Sequence, residues 1–224
     1  MQKARVDRTL ALRYLGSVGT EDAQFLSSLQ QAAELIEQTA QIRHAVFTAP
    51  ITRDADGVHF AGTSLCLPGA DIAALLQESS KGILFCVTLG SEIDRLIRTW
   101  QLRDLTFAAI LDACASSAVE VCCDAMEADF RQQYDAEGLF LTDRFSPGYG
   151  DLPLSVQTPL CAVLDTPRRI GVQVSSSSIL NPRKSVTAIL GVCATPQPKR
   201  DRCSGCPQYS TCQLRKEGAT CADP

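Results

Sequence analysis

An uninterrupted apolar stripe between about residues 104 and 133 constrains the fold more than any other feature of the sequence. Its members recur every three or four residues, which is the spacing of one face of an α-helix. They are Phe107, Ile110, Leu111, Cys114, Ala118, Val121, Cys122 and Ala125. A stripe of this length predicts a single long central helix. The opposite face places small residues beside Glu120, which permits close approach of another backbone or of a ligand. The small residues are Ala109, Ala113, Ser116 and Ser117.

The sequence before this helix alternates between helix and strand signals. Thr20 is a predicted N-cap, and apolar residues at helical spacing follow it as far as Ala40. Asp54-Ala55-Asp56-Gly57 is typical of a turn between two apolar runs, so residues 45–60 are predicted to form a β-hairpin. A short helix over 69–79 and a strand over 82–89 come next. Gly90-Ser91 then introduces another helix, which extends to Trp100.

The sequence after the long helix predicts one helix and two strands. Thr158-Pro159 is a cap followed by a proline, a common helix start. Apolar residues then alternate with polar or small ones over 170–174 and 186–192, which predicts two half-buried strands. Helices and strands without repeated βαβ units favour the α+β class. We expect a largely antiparallel, twisted sheet with flanking helices that include the long central one, plus a Cys-rich C-terminal tail.

Composition excludes several functional classes. Apolar residues make up 45% of the chain and charged residues 21%, as in an ordinary globular protein. The net charge of −4 argues against a nucleic-acid partner, because binding a phosphate backbone needs an excess of Lys and Arg. The first ten residues are charged and do not resemble a signal peptide. We therefore expect a cytoplasmic protein that acts on proteins and small molecules, not on a membrane.

The eleven cysteines fall into two groups. Seven lie in apolar stretches, where a free thiol behaves as a small apolar side chain. They are Cys66, Cys86, Cys114, Cys122, Cys123, Cys161 and Cys193. The other four lie in a polar tail that contains Pro and Gly. They are Cys203, Cys206, Cys212 and Cys221. This second group needs an explanation other than packing.

Residues 144–151, Arg-Phe-Ser-Pro-Gly-Tyr-Gly-Asp, form the most informative short segment. Pro147 restricts one φ angle, and Gly148 permits a backbone conformation that other residues avoid. Arg144 can bind a carboxylate with two parallel hydrogen bonds, and Tyr149 has an aromatic face with a polar end. These residue types suit an amino-acid-containing ligand. They also suit an ordinary surface turn, so residue types alone leave both interpretations open.

Residues 144–149 resemble the Arg-x-x-x-Gly-Tyr signature of the activation domain of cobalamin-dependent methionine synthase. Residues 170–174 and 181–186 are similar to the segments that follow the signature in that family. Upstream, residues 88–90 and 112–120 resemble a short, free-standing branch of the family. The resemblance is strongest over about residues 80–195. It departs from the long family members at Gly150-Asp151, where they have a Pro-Ala pair.

The resemblance implies a function and the residues that perform it. Residues 1–195 would form an activation-like domain that binds S-adenosylmethionine, with Arg144 holding the methionine carboxylate. Gly148 and Tyr149 would shape and line the pocket, and Glu120 would face the amino group or the sulfonium. The chain would reactivate a separate cobalamin-bearing core methionine synthase, with electrons from a flavodoxin- or ferredoxin-like donor. Glu120 as an ordinary solvated acid on a helix face remains an alternative.

Residues 196–224 form the tail, whose four cysteines follow the pattern Cys-x2-Cys-x5-Cys-x8-Cys. Four thiolates suffice for a zinc ion or an iron–sulfur cluster, and the spacing does not separate the two. A tail with incidental thiols is a further alternative. Because the resemblance does not extend to the tail, a second function stays open. In it, the chain is a metal-binding or iron–sulfur redox or interaction protein with the tail as its functional centre.

Overall fold

The protein is described by a computed structural model that places residues 3–20, 22–197 and 209–216. The helices are α1 (Arg8–Tyr14), α2 (Ala23–Thr39), α3 (Ala70–Leu75), α4 (Ser91–Gln101), α5 (Leu105–Asp135), α6 (Gln157–Leu164), α7 (Thr166–Arg169) and α8 (Gln213–Lys216). The strands are β1 (Arg43–Arg53), β2 (Val58–Phe60), β3 (Cys66–Leu67), β4 (Ser79–Thr88), β5 (Phe140–Leu141), β6 (Gln173–Val174), β7 (Leu180–Asn181) and β8 (Ser185–Cys193). A single 3-10 turn, Leu154–Val156, precedes α6.

Six strands form one sheet in the order β3-β2-β1-β4-β8-β5, and every pairing in it is antiparallel. Strands β6 and β7 form a separate antiparallel pair. The long pairings of β4 with β1 and β8 make the centre of the sheet, where Leu84 lies opposite Ile189 and Thr48 opposite Ile83. The α+β class with an antiparallel sheet is confirmed, as is the 45–60 hairpin.

Both faces of the central sheet are covered by other elements. Successive side chains of a strand point to opposite faces, so Ile83 and Phe85 pack with α2, α4 and α5, whereas Leu84 and Cys86 pack with α3 and α6. The prediction of a half-buried strand over 186–192 is therefore wrong, because residues 187–193 of β8 are buried on both faces. The alternate positions of β8 are Thr187, Ile189 and Gly191, and they face the side of the sheet that α3 and α6 cover.

Helix α5 is the predicted central helix, and Asp104 caps its first turn by accepting a hydrogen bond from the Phe107 backbone N–H. Its small-residue face lies close to another backbone, since the Ser117 hydroxyl is buried and donates to the Asp7 carbonyl at the start of α1. By length and composition alone α5 could cross a membrane. Most of its apolar window is buried against other elements of the protein, as in a core helix.

Three local predictions are wrong. Asp22, not Thr20, caps α2 by accepting hydrogen bonds from two backbone N–H groups of its first turn. Helix α6 begins at Gln157 as a continuation of the 3-10 turn, without a capping side chain, so Thr158 is not its cap. The expected strand over 170–174 is reduced to β6, because the Ile170 N–H bonds to the Thr166 carbonyl and closes α7.

Candidate functional site

The backbone around Arg144 is held at the edge of the sheet, beside β8. Strand β5 pairs with the end of β8, and the Thr142 N–H then bonds to the Gly191 carbonyl. Phe145 and Ile189 exchange both backbone hydrogen bonds. Arg144 lies between these two anchored points, so its side chain has a defined direction, towards α5.

The structure brings Arg144 into contact with Glu120. Nη2 of Arg144 donates a hydrogen bond of 2.8 Å to Oε2 of Glu120, and only 15% of the Arg144 side chain is exposed. Nη1 lies 3.2 Å from Oδ1 of Asp124, within ion-pair range. Among the residues that the structure describes, Nη1 is nevertheless buried without a hydrogen-bond partner. The two atoms are close enough for a hydrogen bond, but the N–H of Nη1 is not aligned with Oδ1 of Asp124. A hydrogen bond weakens steeply when its donor is misaligned, so this contact is an ion pair without a hydrogen bond. Arg144 therefore retains one unused buried donor.

The charges around Arg144 keep it protonated. Burial lowers the pKa of Arg144, but the negative charges of nearby groups, Glu120 and Asp124 among them, act against burial, and the net effect raises the pKa above its usual value. Burial raises the pKa of the Cys123 thiol, so Cys123 is neutral near pH 7. A buried guanidinium with a fixed positive charge is suited to bind an anionic group.

A second arginine, Arg131, joins the same helix to the same edge of the sheet. Its guanidinium donates to Oε1 of Glu127 through both Nε, at 3.2 Å, and Nη2, at 2.6 Å. It also donates to the carbonyls of Leu141, at 3.1 Å, and Thr142, at 3.0 Å. Sequence reasoning missed Arg131, Glu127 and Asp124. The spacing of Glu120, Asp124 and Glu127 along one face of α5 was the available signal.

Gly148 and Tyr149 form a turn directly after the anchored segment. The Tyr149 N–H bonds to the Ser146 carbonyl, and the Gly148 N–H bonds to the Leu152 carbonyl. Gly148 has a φ of +91°, a conformation that glycine adopts without strain. The Tyr149 side chain is 59% exposed, and its ring meets the Phe145 ring edge-on with 6.2 Å between centroids. The turn thus presents an aromatic side chain to solvent, five residues along the chain from Arg144.

A pair of aspartates fastens the other end of this turn to α3. Asp151 accepts hydrogen bonds from the backbone N–H groups of Ala70, at 2.6 Å, and Asp71, at 3.1 Å. Asp71 in return accepts one from the Asp151 N–H at 3.2 Å. Gly150 has a φ of +51°, and a Cβ atom there would lie 2.1 Å from Oδ2 of Asp71. We call this arrangement the Asp71–Asp151 clasp. Both residues of the Gly150-Asp151 pair belong to it.

The predicted tail site lies mostly outside the described residues, which include Cys212 but not Cys203, Cys206 or Cys221. Cys212 is partly buried, just before α8. Within the described part of the chain, no three His, Cys, Asp or Glu side chains are grouped so that they could hold a metal ion. His59 contacts Asp54 at 2.9 Å, and His44 is exposed.

The prediction that apolar-stretch cysteines are packing residues is confirmed for six of the seven, which are buried. They are Cys86, Cys114, Cys122, Cys123, Cys161 and Cys193. Cys66 is the exception: it lies on the short edge strand β3, and its thiol points towards the Asp56 carbonyl.

A shallow apolar groove of about 120 Å³ lies on the other flank of α5. Ile42, His44 and Val46 of β1 form one wall, and Met126 and Phe130 of α5 belong to the other. Neither Arg144 nor its turn lines this groove. The candidate site therefore comprises Arg144 with its carboxylate neighbours on α5, together with the turn that follows Arg144 in the chain, and not the groove.

Comparisons with known proteins support the fold. No family model matches this sequence, and no curated protein matches it. Among solved structures, the fold is similar to a crystal structure of the MetH reactivation domain bound to AdoHcy. The two share 14% sequence identity with a TM-score of 0.66, over 96% of this chain and 82% of the other. At that level of identity the likeness establishes the architecture: this chain has the fold of the MetH reactivation domain.

Proposed function

We propose that this protein binds S-adenosylmethionine beside Arg144 and acts as a free-standing reactivation subunit for a cobalamin-dependent methionine synthase. The observation that carries the proposal is the unused buried Nη1 donor of Arg144, in a segment that leads along the chain into an exposed Gly-Tyr turn. The fold likeness to a reactivation domain that binds AdoHcy supports it. A surface arginine in an ordinary turn would leave its guanidinium in water, whereas this one is largely buried.

The chemistry of S-adenosylmethionine fits the charges of the site. The ligand carries one carboxylate and two positive groups, an ammonium and a sulfonium. Arg144 would donate to the carboxylate, and Glu120 would face the ammonium or the sulfonium. Three carboxylates and two guanidinium groups line this side of α5, which leaves it net negative. That sign complements a ligand with net positive charge.

Tyr149 and Gly148 would line the ligand at the turn. The exposed ring offers an apolar face that can attract a sulfonium or stack on an adenine. The φ of +91° at Gly148 shapes the turn that presents the ring. The Asp71–Asp151 clasp would keep the turn in place before the ligand arrives, which lowers the ordering cost of binding.

The proposed reaction transfers a methyl group to a cobalamin held by a partner protein. S-adenosylmethionine would supply the methyl and leave as S-adenosylhomocysteine when its S–CH3 bond breaks, and the partner's cobalamin would accept the methyl after a one-electron reduction by a flavodoxin- or ferredoxin-like donor. The electron pair for the new bond would come from the reduced cobalamin, so this chain would need no general base. This chain's task is to position the sulfonium and balance its charge. Such a role belongs in the cytoplasm with the core enzyme.

The test mixes an oxidised core methionine synthase that lacks its own activation domain with S-adenosylmethionine and a reductant. We expect the full-length chain to restore methionine formation in proportion to its concentration, and the chain alone to make no methionine. Omitting S-adenosylmethionine should abolish recovery, which separates methylation from simple reduction. Equal recovery with and without the chain would remove the reactivation role.

A second proposal concerns residues 196–224, whose four cysteines are close enough in sequence to share one metal site. A polar segment of this kind has few apolar residues with which to fold, and metal binding would supply the missing free energy. An iron–sulfur cluster would also suit a reaction that consumes an electron. Anaerobically purified protein should then contain iron and sulfide and absorb visible light, and Cys206→Ser should lose both properties. Stoichiometric zinc in a colourless protein would instead indicate a structural tail.

A further inference from the structure

Arg144 has two acidic neighbours on α5 that it holds in different ways. Glu120 is the better partner: its side chain is 30% exposed and accepts a hydrogen bond of 2.8 Å from Nη2. Asp124 is 68% exposed and lies 3.2 Å from Nη1 without making a hydrogen bond. One carboxylate is therefore fixed to Arg144, whereas the other only neutralises it from the solvent side.

Asp124 lies against the unused donor. Nη1 is buried, and Oδ1 of Asp124 lies 3.2 Å from it. A ligand carboxylate with good alignment would form the hydrogen bond that Asp124 fails to make. Two carboxylates cannot share this position without repulsion, so one must leave. The exposed side chain of Asp124 is free to turn into water, where its charge is solvated.

We propose that Asp124 is an internal competitor for Arg144, which it holds in the ligand-free protein and releases when a ligand carboxylate binds. This inference rests on the proposed function, since it assigns the carboxylate end of that ligand to Nη1. Asp124 thereby acts as a positioning residue. It keeps the guanidinium neutralised while the site is empty, at the expense of affinity for ligands that carry a carboxylate.

The experiment measures binding of AdoHcy to full-length protein by calorimetry. AdoHcy carries the carboxylate and the ammonium but no sulfonium, so its net charge is zero and long-range attraction to the acidic surface is small. Asp124→Asn removes the competing charge with little change in shape. Because exposed ion pairs contribute little, we expect it to tighten AdoHcy binding about two- to fivefold.

Asp129→Asn is the matched control. Asp129 is an exposed aspartate on the same helix, but it lies beside the β1 groove and not beside Arg144. Asp129→Asn removes the same charge as Asp124→Asn but at a position away from Arg144, so AdoHcy affinity should stay at the wild-type value. An equal gain in both variants would mean that net charge and not competition is responsible, and would overturn the inference.

The remaining outcomes are also decisive. Weaker binding by Asp124→Asn would assign Asp124 to the ligand ammonium, and unchanged binding would make it a bystander; either result overturns the proposal. If the wild-type protein fails to bind AdoHcy at all, the proposed function fails first and the inference falls with it. Circular dichroism checks that the variants are folded, and Asp124→Ala is the second variant should the amide perturb the helix.

Discussion

Arg131 and Arg144 occupy comparable positions and differ in how completely they are satisfied. Both join a carboxylate of α5 to the chain at the β5 edge of the sheet. Arg131 is 38% exposed and donates four hydrogen bonds, two to Glu127 and two to backbone carbonyls. Arg144 is 15% exposed and, within the described part of the chain, donates one hydrogen bond, to Glu120. The more buried guanidinium is thus the less satisfied one.

The difference is what we expect between an arginine with a structural role and one that binds a ligand. Buried polar groups are normally paired, and an unpaired one costs free energy unless another group completes it. Arg131 donates to Glu127 and to two backbone carbonyls whose positions are set by the fold, so its guanidinium is hydrogen-bonded without any ligand. Under the proposed function, a ligand carboxylate would supply the acceptor that Nη1 of Arg144 lacks among the described residues.

The largest effect is expected from truncating the two arginines. Arg144→Ala should weaken AdoHcy binding at least about thirtyfold, because removing one member of a buried charged pair costs roughly 2–5 kcal/mol. Arg131→Ala should leave the affinity within about threefold and lower the free energy of unfolding by about 1–3 kcal/mol, through lost hydrogen bonds. Calorimetry and chemical denaturation measure the two quantities. Equal losses of affinity in both variants would break the distinction.

A smaller effect is expected at the Asp71–Asp151 clasp, which holds the turn that follows Arg144 in the chain. Gly150→Ala forces a Cβ atom against Asp71 in a left-handed conformation, so it should loosen the turn and weaken AdoHcy binding by up to about tenfold. Gly138→Ala is the control. Gly138 also has a positive φ, of +71°, but has nothing within 4 Å of its added Cβ. It should cost only the backbone strain, about 1–2 kcal/mol of stability, with no change in affinity.

The smallest effect is expected at Tyr149. Tyr149→Ala removes an aromatic face that is 59% exposed, and it should weaken AdoHcy binding about threefold, within the range of a single aromatic contact. Tyr149→Phe keeps the ring and should bind like the wild type. Neither change should alter the free energy of unfolding by more than about 0.5 kcal/mol, as is usual for exposed positions. Loss of binding in Tyr149→Phe would instead assign a role to the hydroxyl.

Local patterns in the sequence were sufficient for much of the fold. The apolar stripe predicted α5, and the turn residues 54–57 predicted the hairpin of β1 and β2. The errors fell where two local signals compete, as at the start of α2, where Asp22 caps in place of Thr20. Strand β8 was misjudged for another reason. The second face of β8 is buried because α6 packs on it, and the alternation of residues within a strand carries no information about where a distant helix packs.

The sequence predicted only part of the candidate site. Arg144, Gly148 and Tyr149 came from a contiguous motif, and Glu120 came from a resemblance upstream of it. Their roles in ligand binding remain a prediction, and so does metal binding by the tail cysteines. That Arg144 meets both Glu120 and Asp124 had no sequence signal beyond the spacing of acids on α5, since the contacts cross twenty residues or more of chain.

What the sequence by itself determined was therefore local: the long helix, the hairpin, the shaped turn after Arg144 and the separation of packing cysteines from tail cysteines. These depend on periodicity and on the backbone preferences of a few adjacent residues. Only the tertiary structure decided that Arg131 donates four hydrogen bonds, whereas Nη1 of Arg144 is buried without a partner among the described residues. Hydrogen-bond satisfaction depends on distance and angle between groups far apart in the chain, and those are set when the sheet edge packs against α5.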